Sequence, residues 1–326
     1  MPHFKKSTFG LAALAALFVL TTQPGTASAL TTLRVGKAVP DAFTFVPLDV
    51  GIKEGIFEKH GIKVQEFAFG GDAKMQQALI ANSLDIGIGS GPALAFVAKG
   101  SPVLGVAAMA SKPSLLCVVV KKDGPIHTVA DLKGKIVSSS TPGSLTTWLV
   151  TELSRKEGWG PDGIKHAYLG STPPQLAALE TNSTQGATVQ IATGYKLEQQ
   201  GVGRILFQFG DIVPNFIMHV IFARNALIAK DPQAIREFLA GWFDTIHYMQ
   251  GHKAEVVKIA VPIMHVSPEI AGRSYDELMP IFSHTGKFEP AALKVLANSF
   301  VEMHLLPKAP DMQKLYTEKF LPGASS

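Results

Sequence analysis

The sequence predicts an α/β fold of two lobes with a ligand cleft between them. From Leu33 onward, short β-rich runs alternate with helical patterns, which is typical of sheets whose strands are mostly parallel. A last β-like run begins near residue 216 and is followed by helices nearly to the end, so the chain is expected to return to its first lobe. Clefts between domains are a common place for small-molecule sites, and this order therefore favours a binding cleft.

Residues 1–29 are predicted to be a secretory signal peptide. Lys5 and Lys6 give a basic start, an apolar run covers 9–20, and Ala27-Ser28-Ala29 has the small-residue pattern of a cleavage site. The apolar run is too short to span a bilayer, which needs about 20 such residues. We expect cleavage after Ala29 and a protein of the periplasm.

The first lobe is predicted from 30–122 together with 216–326. A strand over 33–37 is followed by a helix over 48–60, which Gly61 ends in a left-handed cap. Further strands are expected over 62–67, 85–89, 103–109 and 115–120, with helices starting near Asp72 and Pro92. No internal repeat is evident in the sequence.

The second lobe is predicted from 123–215 and holds the most informative stretch of the chain. A strand that starts near Gly134 runs into the loop Ser138-Ser139-Ser140-Thr141-Pro142-Gly143-Ser144, and a helix follows to about Lys156. A helix start leaves backbone N–H groups without partners and carries a partial positive charge, which suits an anion or polar group. An ordinary N-cap explains the same residues, so both interpretations are open at this point.

Composition and charge exclude several classes of function. The net charge is +4, without long basic runs, so neither nucleic acid nor an anionic membrane surface is an expected partner. The single cysteine, Cys117, lies in an apolar run and is interpreted as a buried residue rather than a nucleophile.

The candidate ligand-binding residues lie at the carboxyl ends of the predicted strands, because open α/β sheets bind ligands there. Phe43 and Phe45 either line the cleft or pack beneath their loop, and Asp72 either recognises an amine or caps a helix. These loops carry no arginine, which argues against bidentate recognition of strongly charged ligands. The full set is Asp41, Phe43, Phe45, Gly71, Asp72, Ser90 and Gly91 in the first lobe, and Ser139, Ser140, Thr141, Ser144, Thr146 and Gln190 in the second.

No metal site, cofactor or catalytic residue is predicted. His247 and His252 are spaced so that they drift off a common helix face, and His219 and His265 lack neighbouring ligand residues. The chain has no Gly-x-Ser-x-Gly motif that would mark a nucleophile.

Three stretches resemble the periplasmic solute-binding proteins of ABC importers, in the branch of sulfonate-, taurine-, nitrate- and thiamine-precursor-binding proteins. They are LDVGIKEGIFEKHGI at 48–62, QALIANSLDIG at 77–87, and DLKGK at 131–135 with the Ser/Thr-Pro-Gly-Ser turn after it. The resemblance implies a two-lobed periplasmic-binding-protein fold of type II, with hinge crossings near 119–124 and 213–221. It also implies a monomer that closes around one small solute.

The resulting prediction is a non-enzymatic component of an ABC importer. It would capture a small organic solute, such as a sulfonate, carboxylate or aromatic acid, and deliver it to a permease in the inner membrane with a cytoplasmic ATPase. One alternative is an enzyme on the same fold, similar to thiamine-pyrimidine synthases, whose cysteine-rich iron motif this chain lacks. Another is a ligand-sensing partner of a membrane receptor.

Overall fold

The computed structural model describes residues 1–3 and 29–324. Most of the predicted signal peptide lies outside the described residues, so cleavage after Ala29 stays a prediction. Within the described part of the chain, no helix has both the length and the apolar character needed to cross a membrane.

Ten strands and thirteen α-helices are described. The strands are β1 (Thr31–Lys37), β2 (Ile62–Ala68), β3 (Ile86–Ser90), β4 (Val103–Ser111), β5 (Leu116–Lys121), β6 (Ile136–Ser139), β7 (Lys165–Tyr168), β8 (Gly186–Gln190), β9 (Gly203–Gln208) and β10 (Ile217–Arg224). The helices are α1 (Val46–Lys53), α2 (Ile56–Lys59), α3 (Asp72–Ile80), α4 (Leu94–Ala98), α5 (Leu145–Lys156), α6 (Thr172–Glu180), α7 (Ile191–Gln199), α8 (Phe209–Ile212), α9 (Asn225–Lys230), α10 (Pro232–Gly251), α11 (Lys253–Met264), α12 (Pro268–Leu278) and α13 (Pro290–Glu302).

The strands form two five-stranded sheets with the same topology. The first has the order β2-β1-β3-β10-β4 and the second β7-β6-β8-β5-β9. In each sheet one strand runs antiparallel to both of its neighbours, β10 in the first and β5 in the second. The chain therefore crosses between the sheets twice, once between β4 and β5 and once between β9 and β10, and the α/β class is confirmed.

The membership of β5 corrects the sequence interpretation. The run 115–120 was expected to complete the first lobe, but β5 pairs with β8 and β9 of the second sheet. The first crossing thus lies between Ser111 and Leu116 rather than near 119–124, and the boundary predicted at 122 falls after a strand of the second sheet. The physical reason is that β5 is buried on both faces, so its residues show no alternation that would distinguish one sheet from the other.

The two sheets also repeat in detail, which sequence inspection misses. The helices α3 and α6 each run into an asparagine of positive φ, Asn82 at 61° and Asn182 at 59°. A side chain then anchors β1 in the first sheet and β6, its counterpart, in the second: Asp85 accepts the backbone N–H of Arg34 at 3.0 Å, and Gln185 that of Ile136 at 3.1 Å. The asparagine is common to both halves, but the anchoring residue differs, Asp85 in one and Gln185 in the other, so the sequence shows little of the repeat.

The predicted helix over 48–60 is divided in two. Gly55 has a φ of 64°, which a right-handed helix cannot contain, and it separates α1 from α2. Gly61 follows α2 with a φ of 74°, the left-handed conformation predicted for it.

Asp85 directly precedes β3 and joins β1, β3 and β10 of the first sheet. Its carboxylate lies 2.9 Å from Arg34 Nη2 and 2.8 Å from Arg224 Nη2. Burial alone would raise the pKa of Asp85, but the hydrogen bonds from Arg34 and Arg224 outweigh it and lower that pKa to about 2.

We expect Asp85→Asn to lower the free energy of unfolding by about 2–3 kcal/mol at neutral pH, because two guanidinium groups lose their counter-charge. Since the pKa of Asp85 is lowered by folding, its contribution is present above about pH 4 and is lost as the pH falls toward about 2. Urea unfolding of both proteins measures this: their free energies of unfolding should differ above about pH 4 and become similar toward about pH 2. A constant difference would contradict this account.

Candidate functional site

A cluster of hydroxyl side chains lies where β6 meets α5. We call Ser139, Ser140, Ser144, Thr146 and Thr147 the hydroxyl cluster. Within it, Ser140 Oγ lies 2.8 Å from both Ser144 Oγ and Thr146 Oγ1, and these two lie 3.0 Å apart. A second link joins Ser139 Oγ to Thr147 Oγ1 at 2.9 Å. The predicted loop residues therefore do come together.

Local sequence explains the cluster. Ser144 is the N-cap of α5 and accepts the backbone N–H of Thr147 at 3.3 Å, as short polar side chains at helix starts do. Gly143 precedes it with a φ of 70°, a conformation in which other residues are strained. The capping interpretation is thus correct, but it accounts for one hydroxyl of the five.

The hydroxyl cluster has the chemistry of a neutral oxyanion site. Ser140, Ser144 and Thr146 are half-buried, and residues 138–147 include no charged side chain. A hydroxyl has one donor and two acceptor positions, so a ring of three can turn its protons toward an incoming oxygen. The first-turn N–H groups of α5 and the helix dipole add to this.

On the first sheet, Asp72 organises the end of β3. Ser90 donates its backbone N–H and its hydroxyl to the two carboxylate oxygens of Asp72, at 2.8 and 2.7 Å. Burial raises the pKa of Asp72. A Cβ on Gly91 would lie 2.0 Å from the carbonyl oxygen of Ile217, so no larger residue fits there without a shift of the backbone. Asp72 therefore ties the start of α3 to β3 rather than standing free.

The remaining predicted residues contribute no side chain to the hydroxyl cluster. Phe43 and Phe45 are fully buried in the core, where Phe43 packs against Tyr275 and Phe282, and Phe45 against His219. Their interpretation as a cleft wall is therefore corrected to core packing. Asp41, Gly71 and Gln190 make no described hydrogen bond to the hydroxyl cluster. Thr141 meets it through its backbone: its N–H donates to Ser144 Oγ at 3.4 Å, and its carbonyl oxygen accepts the hydroxyl of Thr147 at 2.8 Å.

Glu302 of the first lobe contacts α5 next to the hydroxyl cluster, and no signal in the sequence reveals it. Trp148 of α5 donates its indole N–H to Glu302 Oε2 at 2.5 Å, and Arg155 lies 3.0 Å from the same oxygen. The ring of Trp148 also stacks on Phe216 in the second crossing, with centroids 5.3 Å apart. Trp148 is buried, and its contacts with Glu302 and Phe216 join the two lobes.

We expect Glu302→Ala to favour a more open, ligand-free protein, since the buried indole N–H loses its charged acceptor, a bond of about 1.5–3 kcal/mol. Small-angle scattering should show a larger radius of gyration. Glu152→Ala is the matched control, because Glu152 also pairs with Arg155, at 3.6 Å, but within α5. Equal scattering from the two variants would contradict a role for Glu302 in holding the lobes.

Lys37 was also missed, although it ends β1, where the strand-end rule applies. Its side chain is 3% exposed, its Nζ lies 3.0 Å from both carboxylate oxygens of Asp49, and it contacts Glu66. Burial, and after it repulsion from Glu66, raises the pKa of Asp49 to about 6 despite Lys37. Asp49 is thus an ion-pair partner and neither a cap nor a free ligand group.

Metal and thiol chemistry find no support in the described residues. No group of three or more His, Cys, Asp or Glu side chains within 1–3 and 29–324 is placed to hold a metal ion. Cys117 is buried, and burial, with a smaller contribution from Glu198, raises the pKa of its thiol. It fits the buried residue that the sequence predicts.

Two sheets of the same strand order, two crossings and polar groups at the strand ends define a two-lobed periplasmic-binding-protein fold of type II. Residues 42–256 match the family model described as NMT1/THI5 like, and the chain belongs to this family.

Relatives and solved structures agree with the fold. The chain is 25% identical over 254 residues to a protein of Escherichia coli (strain K12) named "Putative aliphatic sulfonates-binding protein", covering 77% of this chain and 78% of that one. The crystal structure of the periplasmic aliphatic sulphonate binding protein SsuA from Escherichia coli superposes with a TM-score of 0.76 at 20% identity, covering 88% of this chain and 92% of the other. The desulfurization enzyme DSZB shares the fold at a TM-score of 0.63 and 14% identity, covering 89% and 97%.

Proposed function

We propose that this protein is the solute-binding component of an ABC importer. It captures a small organic solute with an oxyanion end, such as a sulfonate, a carboxylate or an aromatic acid, and presents it to a permease in the inner membrane that works with a cytoplasmic ATPase. The hydroxyl cluster at the start of α5 carries the proposal, because it brings several uncharged hydrogen-bond donors close together.

Similarity supports the same role. The curated relative is named for binding aliphatic sulfonates, and SsuA is a periplasmic binding protein of the same fold. These relatives and the predicted signal peptide support a periplasmic location. We infer the ligand-binding residues to be those of the hydroxyl cluster, with Ser90 and Gly91 opposite on the first lobe.

An enzyme on this fold is the second candidate, favoured by the likeness to DSZB. The buried thiol of Cys117, with its raised pKa, is a poor nucleophile and speaks against cysteine chemistry. The binding role therefore has the better support.

The test uses the chain from residue 30 onward, purified without denaturation. Native mass spectrometry should reveal about one small molecule per chain, and a panel of sulfonates, carboxylates, amines and pyrimidines should include compounds that raise the melting temperature. A ligand at about 100 times its Kd adds about 2.7 kcal/mol of stability. If no sulfonate or carboxylate shifts the melting temperature and no ligand is carried, the proposed function fails.

A further inference from the structure

Tyr168 stands beside the hydroxyl cluster on the edge strand of the second sheet. It is the last residue of β7 and pairs in parallel register with Ser139, the last residue of β6. Paired residues of neighbouring strands, about 4.8 Å apart, point to the same face of the sheet. Ser139 points toward α5, since it contacts Thr147 at 2.9 Å, and Tyr168 therefore lies on that face next to the cluster.

The ring of Tyr168 is held in place on one side and open on the other. It stacks on His166 with an interplanar angle of 5° and centroids 5.6 Å apart. His166 is in turn fixed by a 3.1 Å contact between its Nε2 and the hydroxyl of Thr151 on α5. Tyr168 is nevertheless 48% exposed, so the rest of its ring is open to a ligand.

The His166 imidazole that stacks on the ring of Tyr168 is uncharged near neutral pH. Burial lowers the pKa of His166, although Asp162 acts in the opposite direction. A neutral imidazole stacked behind the phenol leaves a flat, mostly apolar face without a competing cation. Such a face suits the body of a planar organic molecule rather than its charged end.

We propose that Tyr168 is a specificity-determining residue of the solute site, where its ring packs against the planar body of a solute whose oxyanion end binds the hydroxyl cluster. The protein then prefers aryl sulfonates or aryl carboxylates to small alkyl ones. This inference rests on the proposed function and deepens it by naming the class of solute. Aromatic contacts of this kind contribute about 0.5–1.5 kcal/mol, which corresponds to a preference of about two- to tenfold.

The experiment compares two matched ligand pairs by calorimetry: benzenesulfonate with ethanesulfonate, and benzoate with propionate. Tyr168→Ala should weaken binding of the aryl member of a pair by about two- to tenfold and leave the alkyl member nearly unchanged. Tyr168→Phe, which keeps the ring, should bind both as the original protein does. Tyr248→Ala is the control, since Tyr248 is stacked on His252 in a comparable way but lies on α10.

The possible outcomes separate the two proposals. Suppose that the unaltered protein binds both members of a pair, and that Tyr168→Ala leaves both affinities unchanged or lowers both equally. Tyr168 then does not set specificity, and the proposed function survives. If the unaltered protein binds none of the four compounds, the binding of oxyanion solutes fails and the role of Tyr168 fails with it. An unchanged aryl preference in Tyr168→Ala would also overturn the inference.

Discussion

Replacement of Lys37 by Met is expected to lower the free energy of unfolding by about 3 kcal/mol at about pH 8. The side chain of Lys37 is 3% exposed and is the cation between Asp49 and Glu66, whose side chains are 16% and 27% exposed. Met has a similar shape without the charge, so two partly buried carboxylates would face each other uncompensated. Breaking a buried ion pair on one side costs about 3–5 kcal/mol, and the partial exposure here favours the lower end.

The loss of stability caused by Lys37→Met should be smaller in mild acid. Folding raises the pKa of Asp49 to about 6, above its unfolded value, so protonation of Asp49 favours the folded state. Without Lys37, which holds that pKa down, Asp49 binds its proton at a still higher pH. The repulsion between Asp49 and Glu66 is then relieved as the pH falls, and at about pH 5 we expect the difference from the unaltered protein to be less than half of its value at about pH 8.

Lys253→Met is the matched control for this prediction. Lys253 also pairs with a carboxylate, Asp276 at 2.6 Å, but the two side chains are 48% and 63% exposed. A surface pair of this kind contributes about 0–1 kcal/mol, so the control should be nearly neutral. Equal losses for the two variants, or a larger loss for Lys37→Met in acid, would show that the buried ion pairs are not the cause.

Ser144→Trp is expected to lower solute affinity at least about a hundredfold, a loss of about 2.7 kcal/mol of binding energy. The indole would occupy the point where Ser140 Oγ and Thr146 Oγ1 lie 2.8 and 3.0 Å from Ser144 Oγ. The bulky side chain removes one donor and displaces the others. Calorimetry with whichever solute the thermal-shift panel identifies measures the effect.

Stability must be separated from binding in this test. Ser144 also caps α5 through a 3.3 Å bond to Thr147, and its loss costs about 1 kcal/mol of stability. Ser267→Ala supplies the comparison, because Ser267 caps α12 through a 3.3 Å bond to Ile270 and belongs to no hydroxyl cluster. We expect Ser267→Ala to lower the melting temperature and keep the affinity. Normal affinity in a folded Ser144→Trp variant would move the solute site away from α5.

Much of the fold could be predicted from the sequence because the relevant signals are local. The strand positions, the left-handed Gly61 and the hydroxyl loop before α5 each follow from a few neighbouring residues. The loop could be assigned to a helix start because small polar residues satisfy the first N–H groups there. For the same reason Asp72 and Ser90 could be placed at strand and helix ends, though their mutual hydrogen bonds could not.

Local sequence patterns are enough to establish the α/β class, the order of the elements and the chemistry of the loop that we assign to solute binding. Contacts between distant parts of the chain are needed to show that β5 joins the second sheet, that Phe43 and Phe45 belong to the core, and that Glu302 meets Trp148. An apolar run such as β5 is equally suited to any buried position. A carboxylate such as that of Glu302 can accept a hydrogen bond from any nearby donor. Local patterns specify what an element is, whereas its neighbours are chosen by packing between residues that are distant along the chain.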